Sequence, residues 1–408
     1  MTASQFRTVD DLPANSRVLV RLDLNSPVEG GTPRDNRRFE RHAETVRDLA
    51  AAGHRVVCMA HQGRPGREDF THLDGHATVL ASHLDRDVAF VADTDGEAAV
   101  AAIRGLDAGE VVLLDNVRTN DDELPERAPE AHADSTFVRT LAAEVDAYVN
   151  DAYSAAHRRH ASLVGFPTVL PAYAGRVMVA EHEANTAIGT REFDGDVRMV
   201  VGGTKATDVI GVMESLGDAV DEFLLGGVAG ELFLRAAGHP VGEDVAGTDR
   251  FDEQWAANAD AVRDLLDADG DRLRLPTDLA YETDDGDRDE VAVDDVDAKR
   301  RPYLDVGSDT AADYVARVRD AEAVFVKGAL GVFEDERFSH GTVTVLEAVA
   351  EADCFSVVGG GDTARAVGLY GDRMSESDFS HVSVAGGAYI RALTGEALPA
   401  VEALDEPR

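Results

Sequence analysis

The sequence predicts an α/β protein of two doubly wound, parallel-sheet (Rossmann-like) domains joined by a hinge. Short β-branched runs alternate with helical patterns along the whole chain, a rhythm that indicates βα units with helices on both faces of a sheet. The length of 408 residues exceeds what one hydrophobic core usually sustains. The 44% of apolar residues suffices to fill two cores.

In chain order, the strand candidates of the first half are RVLVRL, RVVCMA, EVVLL and DAYVN, and those of the second are VRMVV, EFLLG, AVFVK, FSVVG and HVSVA. A helix is predicted from Asp35 or Asn36, because Phe39, Ala43, Val46 and Leu49 or Ala50 recur at helical spacing and form one apolar face. The stretch FPTVLPAYAGR, punctuated by Pro167, Pro171 and Gly175, reads as a linker before the long helical pattern RVMVAEHEANTA. Residues 1–171 are therefore expected to form the first domain and 172–395 the second. The closing segment 396–408 is either a frayed tail or a strap packed back onto the first domain.

Acidic residues number 78 against 39 Lys and Arg, a formal net charge of −39, and the lysines are only Lys205, Lys299 and Lys327. Such a charge repels nucleic acid and anionic membranes, and it destabilises the fold by self-repulsion unless salt screens it. The reading is a protein adapted to a salt-rich cytoplasm, in which acidic runs such as TDDGDRDEVAVDDVDA are hydrated surface. No run of about 18 apolar residues occurs, and MTASQFRTVDDLPANS lacks the pattern of a signal peptide, so a cytoplasmic location is expected. Cys58 and Cys354 sit in short apolar runs and read as small buried hydrophobes, without disulfide or metal roles.

The two halves differ chemically. In the second, glycines follow strands at Gly202-Gly203-Thr204-Lys205, Gly226-Gly227, Gly359-Gly360-Gly361-Asp362-Thr363 and Gly386-Gly387. Without a Cβ the backbone can approach an anion closely, and a helix N-terminus favours phosphate, so several such turns at one sheet edge suggest a nucleotide site. Neither G-x-x-x-x-G-K-[ST] nor G-x-G-x-x-G occurs there, which argues against a P-loop enzyme and a nucleotide-dependent dehydrogenase. Asp362 is either an N-cap or a ligand for magnesium carried on nucleotide phosphates. Lys205, a rare lysine beside a glycine turn, suits a phosphate.

The first half gathers arginine and histidine after its strands: Arg21-x-Asp23-x-Asn25, Arg38 on the first helical turn, His61-x-x-Arg64, Arg118, and His157-Arg158-Arg159-His160. Guanidinium forks bind carboxylate and phosphate bidentately, so arginines converging on one edge predict a pocket for a small phosphorylated acid.

With RLDLNSP, HQGRP, LLDNVR, NDAYSAAHRRHAS, GGTKATD, GALGVFE, GGGDTARA and HVSVAGGA in this order, nearly the whole chain resembles phosphoglycerate kinase, most closely its archaeal branch. The resemblance implies reversible transfer between the acyl phosphate of 1,3-bisphosphoglycerate and MgADP, giving 3-phosphoglycerate and MgATP. It implies that the acid binds the N-terminal domain, where Asp23 and Asn25 would meet its hydroxy-acid end. Arg21, Arg38, His61, Arg64, Arg118 and Arg158 would hold its phosphate and carboxylate, with Leu24, Gln62 and Gly63 completing the site.

On the nucleotide side the resemblance assigns Gly203, Thr204 and Lys205 to the phosphates, Gly226 and Gly227 to adenine, Glu334 to the ribose, and Asp362 with Thr363 to Mg2+ and phosphates. Lys327, Leu330, Gly360 and Gly361 complete that set. Arg38, Lys205, Gly361 and Gly387 are the implied catalytic residues, with Arg38 and Lys205 meeting across the cleft as the hinge closes. Preorganised positive charge suffices for such a transfer, and no nucleophilic side chain is needed.

The chain departs from many relatives in having Val209 where they carry a second lysine, Lys327-Gly328-Ala329 where they have Asn-Gly-Pro, and Ala385-Gly386-Gly387 where they have a triple glycine. Lys327 either supplies charge missing at Val209 or faces solvent. A non-catalytic binding protein on the same fold is disfavoured because the candidate anion ligands and Lys205 are all present. A monomer or weak homo-oligomer is expected.

Overall fold

The computed structural model describes residues 6–241, 250–296 and 302–405. The chain divides into two units, Met1–Glu183 with Ala397–Arg408, and Ala184–Glu396.

The first unit is built on strands β1 (Arg17–Arg21), β2 (Arg55–Met59), β3 (Ala89–Val91), β4 (Val111–Leu114), β5 (Ala147–Asn150) and β6 (Ala172–Ala174). They form one sheet in the order β3-β4-β2-β1-β5-β6, and every pairing is parallel. Val18, Leu19 and Val20 of β1 are fully buried, as a central strand covered on both faces requires. Helix α1 (Arg37–Ala51) starts at Asn36, whose side chain accepts from the Arg38 amide at 2.9 Å. Its buried face carries Phe39, Ala43, Val46 and Leu49, as the periodicity predicts.

Part of the stretch expected to be a linker is instead the edge strand β6, with Tyr148 in register with Ala172. The division between units falls within the following helix, α2 (Arg176–Thr190).

The second unit contains β7 (Val197–Val201), β8 (Glu222–Leu225), β9 (Leu273–Arg274), β10 (Asp278–Glu282), β11 (Arg288–Ala292), β12 (Tyr303–Val306), β13 (Ala323–Lys327), β14 (Phe355–Gly359) and β15 (His381–Val382). Its parallel sheet runs β9-β8-β7-β13-β14-β15. The helices that frame its strand ends are α3 (Ala206–Leu216), α4 (Gly227–Ala236), α5 (Arg250–Asp269), α6 (Gly361–Leu369) and α7 (Gly387–Leu393).

A second, antiparallel sheet of order β11-β10-β12 corrects the reading of TDDGDRDEVAVDDVDA as hydrated surface alone. Arg288–Ala292 pairs with β10 on one side only, so polar residues face solvent along it, while Val293 and Val296 beyond it are buried. The last two residues of that run lie outside the described residues.

The closing segment is a strap. Helix α8 (Pro399–Asp405) belongs to the first unit, the Ala400 amide donates to the Ala156 carbonyl at 3.1 Å, and Val401 and Leu404 are buried. Arginine predominance has a structural use: Glu222 receives Arg198, Arg274 and Arg317 at 3.0, 2.7 and 2.7 Å. Planar forks can share one carboxylate in this way.

Candidate active site

Four adjacent strands of the first sheet, in the order β4-β2-β1-β5, deliver the arginine-rich segments from their carboxyl ends. Arg21 closes β1, His61 to Arg64 follow β2, Arg118 follows β4, and Arg158 follows β5. Ligands of open parallel sheets bind at such an edge because the loops there are free to carry side chains.

Arg21 is fully buried, and its nitrogens are engaged within the fold. Nε donates to Ser162 Oγ at 2.8 Å, one terminal nitrogen donates to the Leu22 carbonyl, and the other lies 3.1 Å from His61 Nδ1. Ser162 in turn donates to Glu123 at 2.8 Å. Because Arg21 donates to Nδ1, the neutral His61 ring carries its proton on Nε2. Burial pushes the His61 value well below the usual range against the attraction of Asp23, and Arg21, Arg118 and Arg158 push the same way.

Asp23 is buried where Arg38 and Ser154 both donate to one carboxyl oxygen, and the other accepts from the Asn25 amide at 3.1 Å. Burial alone would raise its value, but the Arg38 guanidinium and the Ser154 hydroxyl hold it well below the carboxylate range. The network continues inward. His42 Nε2 accepts from the Asp23 amide at 3.2 Å, and its Nδ1 meets Asp151 at 2.8 Å. Asp151 accepts from the Val177 amide at 2.9 Å, at the start of α2.

The remaining sequence candidates of this unit have distinct jobs. Asn25 accepts from the Gly63 amide at 2.8 Å. Gln62 clamps the loop, with bonds to both backbone groups of Ser26, to the Asp69 carbonyl and to His76 Nε2. Leu24 is core. Arg118 donates to the Gly63 carbonyl, Arg64 is exposed, and Arg38 and Arg158 are partly exposed.

Burial depresses Arg118 to about 10 and lowers Arg158, and the arginines reinforce this: Arg158 and Arg21 act on Arg118, Arg21 and Arg64 on Arg158. Like charges gathered and partly desolvated at one edge are poised for an anion that relieves both penalties. Sequence reasoning missed Ser154, Ser162, Glu123, His42 and Asp151. Only the density of polar residues around NDAYSAAHRRHAS offered a signal for them.

In the second unit, a cavity of about 360 Å³ opens beside the strand ends. Among the expected nucleotide residues, Gly203, Thr204, Gly227, Leu330, Glu334 and Asp362 line it. The glycines are required by close packing. Gly203 has φ +91°, and a Cβ on Gly227, at φ +55°, would stand 2.8 Å from the Gly203 nitrogen. Lys205, Gly226, Lys327, Gly360, Gly361 and Thr363 are outside the lining. Thr363 is buried and accepts from the Gly328 amide at 3.0 Å, which fixes the turn after β13.

Asp362 is not an N-cap: Gly360 caps α6, and Asp362 lies in its first turn. Gly387 begins α7. Lys205 is exposed at the N-cap position of α3, and Val209 is buried on that helix. Burial lowers the Lys327 ammonium, with Asp208 and Asp362 opposing and Lys205 adding to the shift, so its charge belongs to this neighbourhood. It is not fully solvent-facing. No pattern in the chain signalled the apolar wall made by Leu279 and Val306, which comes from the antiparallel sheet.

Cys58 and Cys354 are free; burial pushes the first thiol far up and the second to about 11. Among the described residues no helix is long and apolar enough to cross a membrane, and no group of three or more His, Cys, Asp or Glu could hold a metal ion.

A family model described as phosphoglycerate kinase matches residues 9–396. The chain is 72% identical to the phosphoglycerate kinase of Halorubrum lacusprofundi, over 98% of each chain. It is 62% identical to that of Haloarcula marismortui, over 98% of this chain and 99% of the relative. The crystal structure of phosphoglycerate kinase from Pyrococcus horikoshii matches with a TM-score of 0.89 at 31% identity, covering 98% of each chain. The structure of phosphoglycerate kinase from Coxiella burnetii matches with a TM-score of 0.79 at 29% identity and the same coverage.

Proposed function

The chain belongs to the phosphoglycerate kinase family, and from that premise we propose that its arginine edge holds the phosphorylated acid while its glycine-lined cavity holds the nucleotide. In the direction of ATP formation, the bond between phosphorus and the acyl oxygen of 1,3-bisphosphoglycerate breaks, and a bond forms from phosphorus to a β-phosphate oxygen of ADP. The carboxylate of 3-phosphoglycerate leaves. The attacking and leaving oxygens carry no proton, so no general base is needed, and His61 Nδ1 is already taken up by Arg21.

What the chain must supply is position and positive charge on the transferred group. Arg38, anchored by buried Asp23 yet partly exposed, is the best candidate to stabilise that charge. Arg118, Arg158 and Arg64 hold the acid's phosphate and carboxylate, and Asn25 meets its hydroxyl end. Arg21, with its nitrogens engaged, acts through its field and by setting the His61 tautomer. On the nucleotide side, Gly203, Thr204 and the start of α6 receive phosphates, Glu334 the ribose, and Leu330 with Gly227 the base.

Mg2+ enters with the nucleotide. Asp362 on the cavity wall is the residue that would complete its shell. When bound, the ion neutralises charge shared by the nucleotide phosphates. Lys205 and Lys327 add fixed positive charge nearby, Lys327 offsetting the lysine replaced by Val209.

The observation that carries the acid site is the convergence of Arg21, His61, Arg64, Arg118 and Arg158 at the carboxyl ends of four adjacent parallel strands. A coupled assay of ATP formation from 1,3-bisphosphoglycerate and MgADP in high salt tests the whole reading. Arg38→Ala should lower turnover by about 10²–10³-fold, as for other charged stabilisers, with little change in the unfolding midpoint. Near-normal turnover in that variant would remove Arg38 from the reaction.

A further inference from the structure

The nucleotide cavity contains a carboxyl that phosphoryl transfer does not use. Glu231 lies on α4, one turn beyond Gly227, and lines the cavity together with Val228, Leu279, Val306 and Leu330. The base is the flattest and least charged part of a nucleotide, so an apolar wall is where it belongs. Other lining acids are already occupied: Asp305 accepts from the Gly341 and Val306 amides at 2.9 and 3.0 Å, and Glu334 receives Arg365 at 2.9 Å. Asp362 lies in the first turn of α6, beside the glycines assigned to phosphate.

Glu231 is partly buried, and among the described residues neither a hydrogen bond nor an ion pair engages it. We propose that Glu231 reads the nucleobase, accepting from the 6-amino group of adenine and donating its own proton to the neighbouring ring nitrogen. A carboxyl that bears its proton is both donor and acceptor, which matches adenine. A carboxylate only accepts, which matches the N1–H and 2-amino donors of guanine. The side chain is therefore a specificity determinant, and it rests on the reading of this cavity as the nucleotide site.

The protonation state follows from the surroundings. Burial alone pushes Glu231 up, to about 8, with no contribution from a charged neighbour. The elements packed on α4 carry Asp208 and Glu214 on α3, Asp252 and Glu253 near the start of α5, Arg198 on β7, and Tyr303 and Asp305 on β12. Arg198 is paired with Glu222, and Arg235 of α4 itself with Asp252. Below its value Glu231 is neutral and suits adenine. Above it the carboxylate favours guanine.

Calorimetric titration of the full chain with MgADP and MgGDP in high salt, at about pH 6.5 and about pH 9 on either side of that value, tests the proposal. Wild-type protein should prefer MgADP by about tenfold at the lower pH, the worth of one added polar pairing, and lose much of that preference at the higher. Glu231→Gln, whose amide offers the same donor and acceptor at every pH, should keep it at both. Glu231→Ala should lack it at both. An unchanged preference and pH profile in Glu231→Ala would overturn the proposal. Val332→Trp, at an exposed position on the cavity wall, separates the two readings: it should weaken both nucleotides alike. Undiminished MgADP affinity in that variant would fault the cavity itself.

Discussion

The arginine edge of the first unit and the glycine cavity of the second both sit at the carboxyl ends of parallel strands, but they are built on opposite principles. The first is made of side-chain charge: Arg21, Arg118 and Arg158 are held within range of one another, with Asp23 and Glu123 buried beneath them. The second is made of backbone and apolar wall, where glycines let strands and turns approach closely. A small acid has little surface beyond its charges, so charge must recognise it. A nucleotide brings a metal ion and a base of its own.

The acidic excess of this chain is a halophilic character, and it sharpens the contrast. In about 1 M salt the Debye length is near 3 Å, so exposed charges act only at contact, while buried ones are screened much less. An anion site that works in such a solvent needs its cations sunk into the fold. Arg21 is the extreme case.

Breaking that foundation should have the largest effect. Arg21→Met leaves Glu123 buried opposite a missing cation and should cost about 3–5 kcal/mol in urea unfolding. A loss below about 1 kcal/mol would mean that the buried charge is not needed for folding.

Next comes a pH effect confined to the first unit. His76, fully buried against Gln62, is lowered to about 4 by burial. Its folded value lies below its unfolded one, so its contribution is complete above about pH 6.5 and is lost as pH falls toward the folded value. Stability should drop by on the order of 3 kcal/mol across that window. His76→Gln should flatten this limb, and an unchanged acid profile would contradict the assignment.

On the nucleotide side the effects should be smaller, because no single side chain dominates. Lys327→Ala should weaken MgADP binding by about tenfold, a charge-assisted contact's worth. Unchanged affinity and turnover would return Lys327 to a surface role. Thr363→Val removes the acceptor for the Gly328 amide and should cost about 1 kcal/mol of stability, read from the thermal midpoint.

The same contrast explains what could be read in advance. Strands such as Val18–Val20 are buried on both faces and announce themselves as apolar runs, and α1 shows its face in Phe39, Ala43 and Val46. Arg21, Arg118 and Arg158 are legible because charge after a strand is conspicuous. Their partners are not: Ser162 is 141 residues from Arg21, and no local pattern links them. Strand β11 was hidden because an edge strand with one paired side keeps polar residues. Without that sheet, Leu279 and Val306 could not be placed on the cavity, and Glu231 on α4 had no reason to stand out.

If the two halves of the reaction are bound by two separately built sites, calorimetric titration of 3-phosphoglycerate and of MgADP into Arg158→Ala and Val332→Trp in high salt will separate them. Arg158→Ala should lose about tenfold or more in affinity for 3-phosphoglycerate, the worth of a charged contact, and keep its affinity for MgADP. Val332→Trp should do the reverse. Equal loss of both ligands in either variant, or the opposite pairing, would contradict the division.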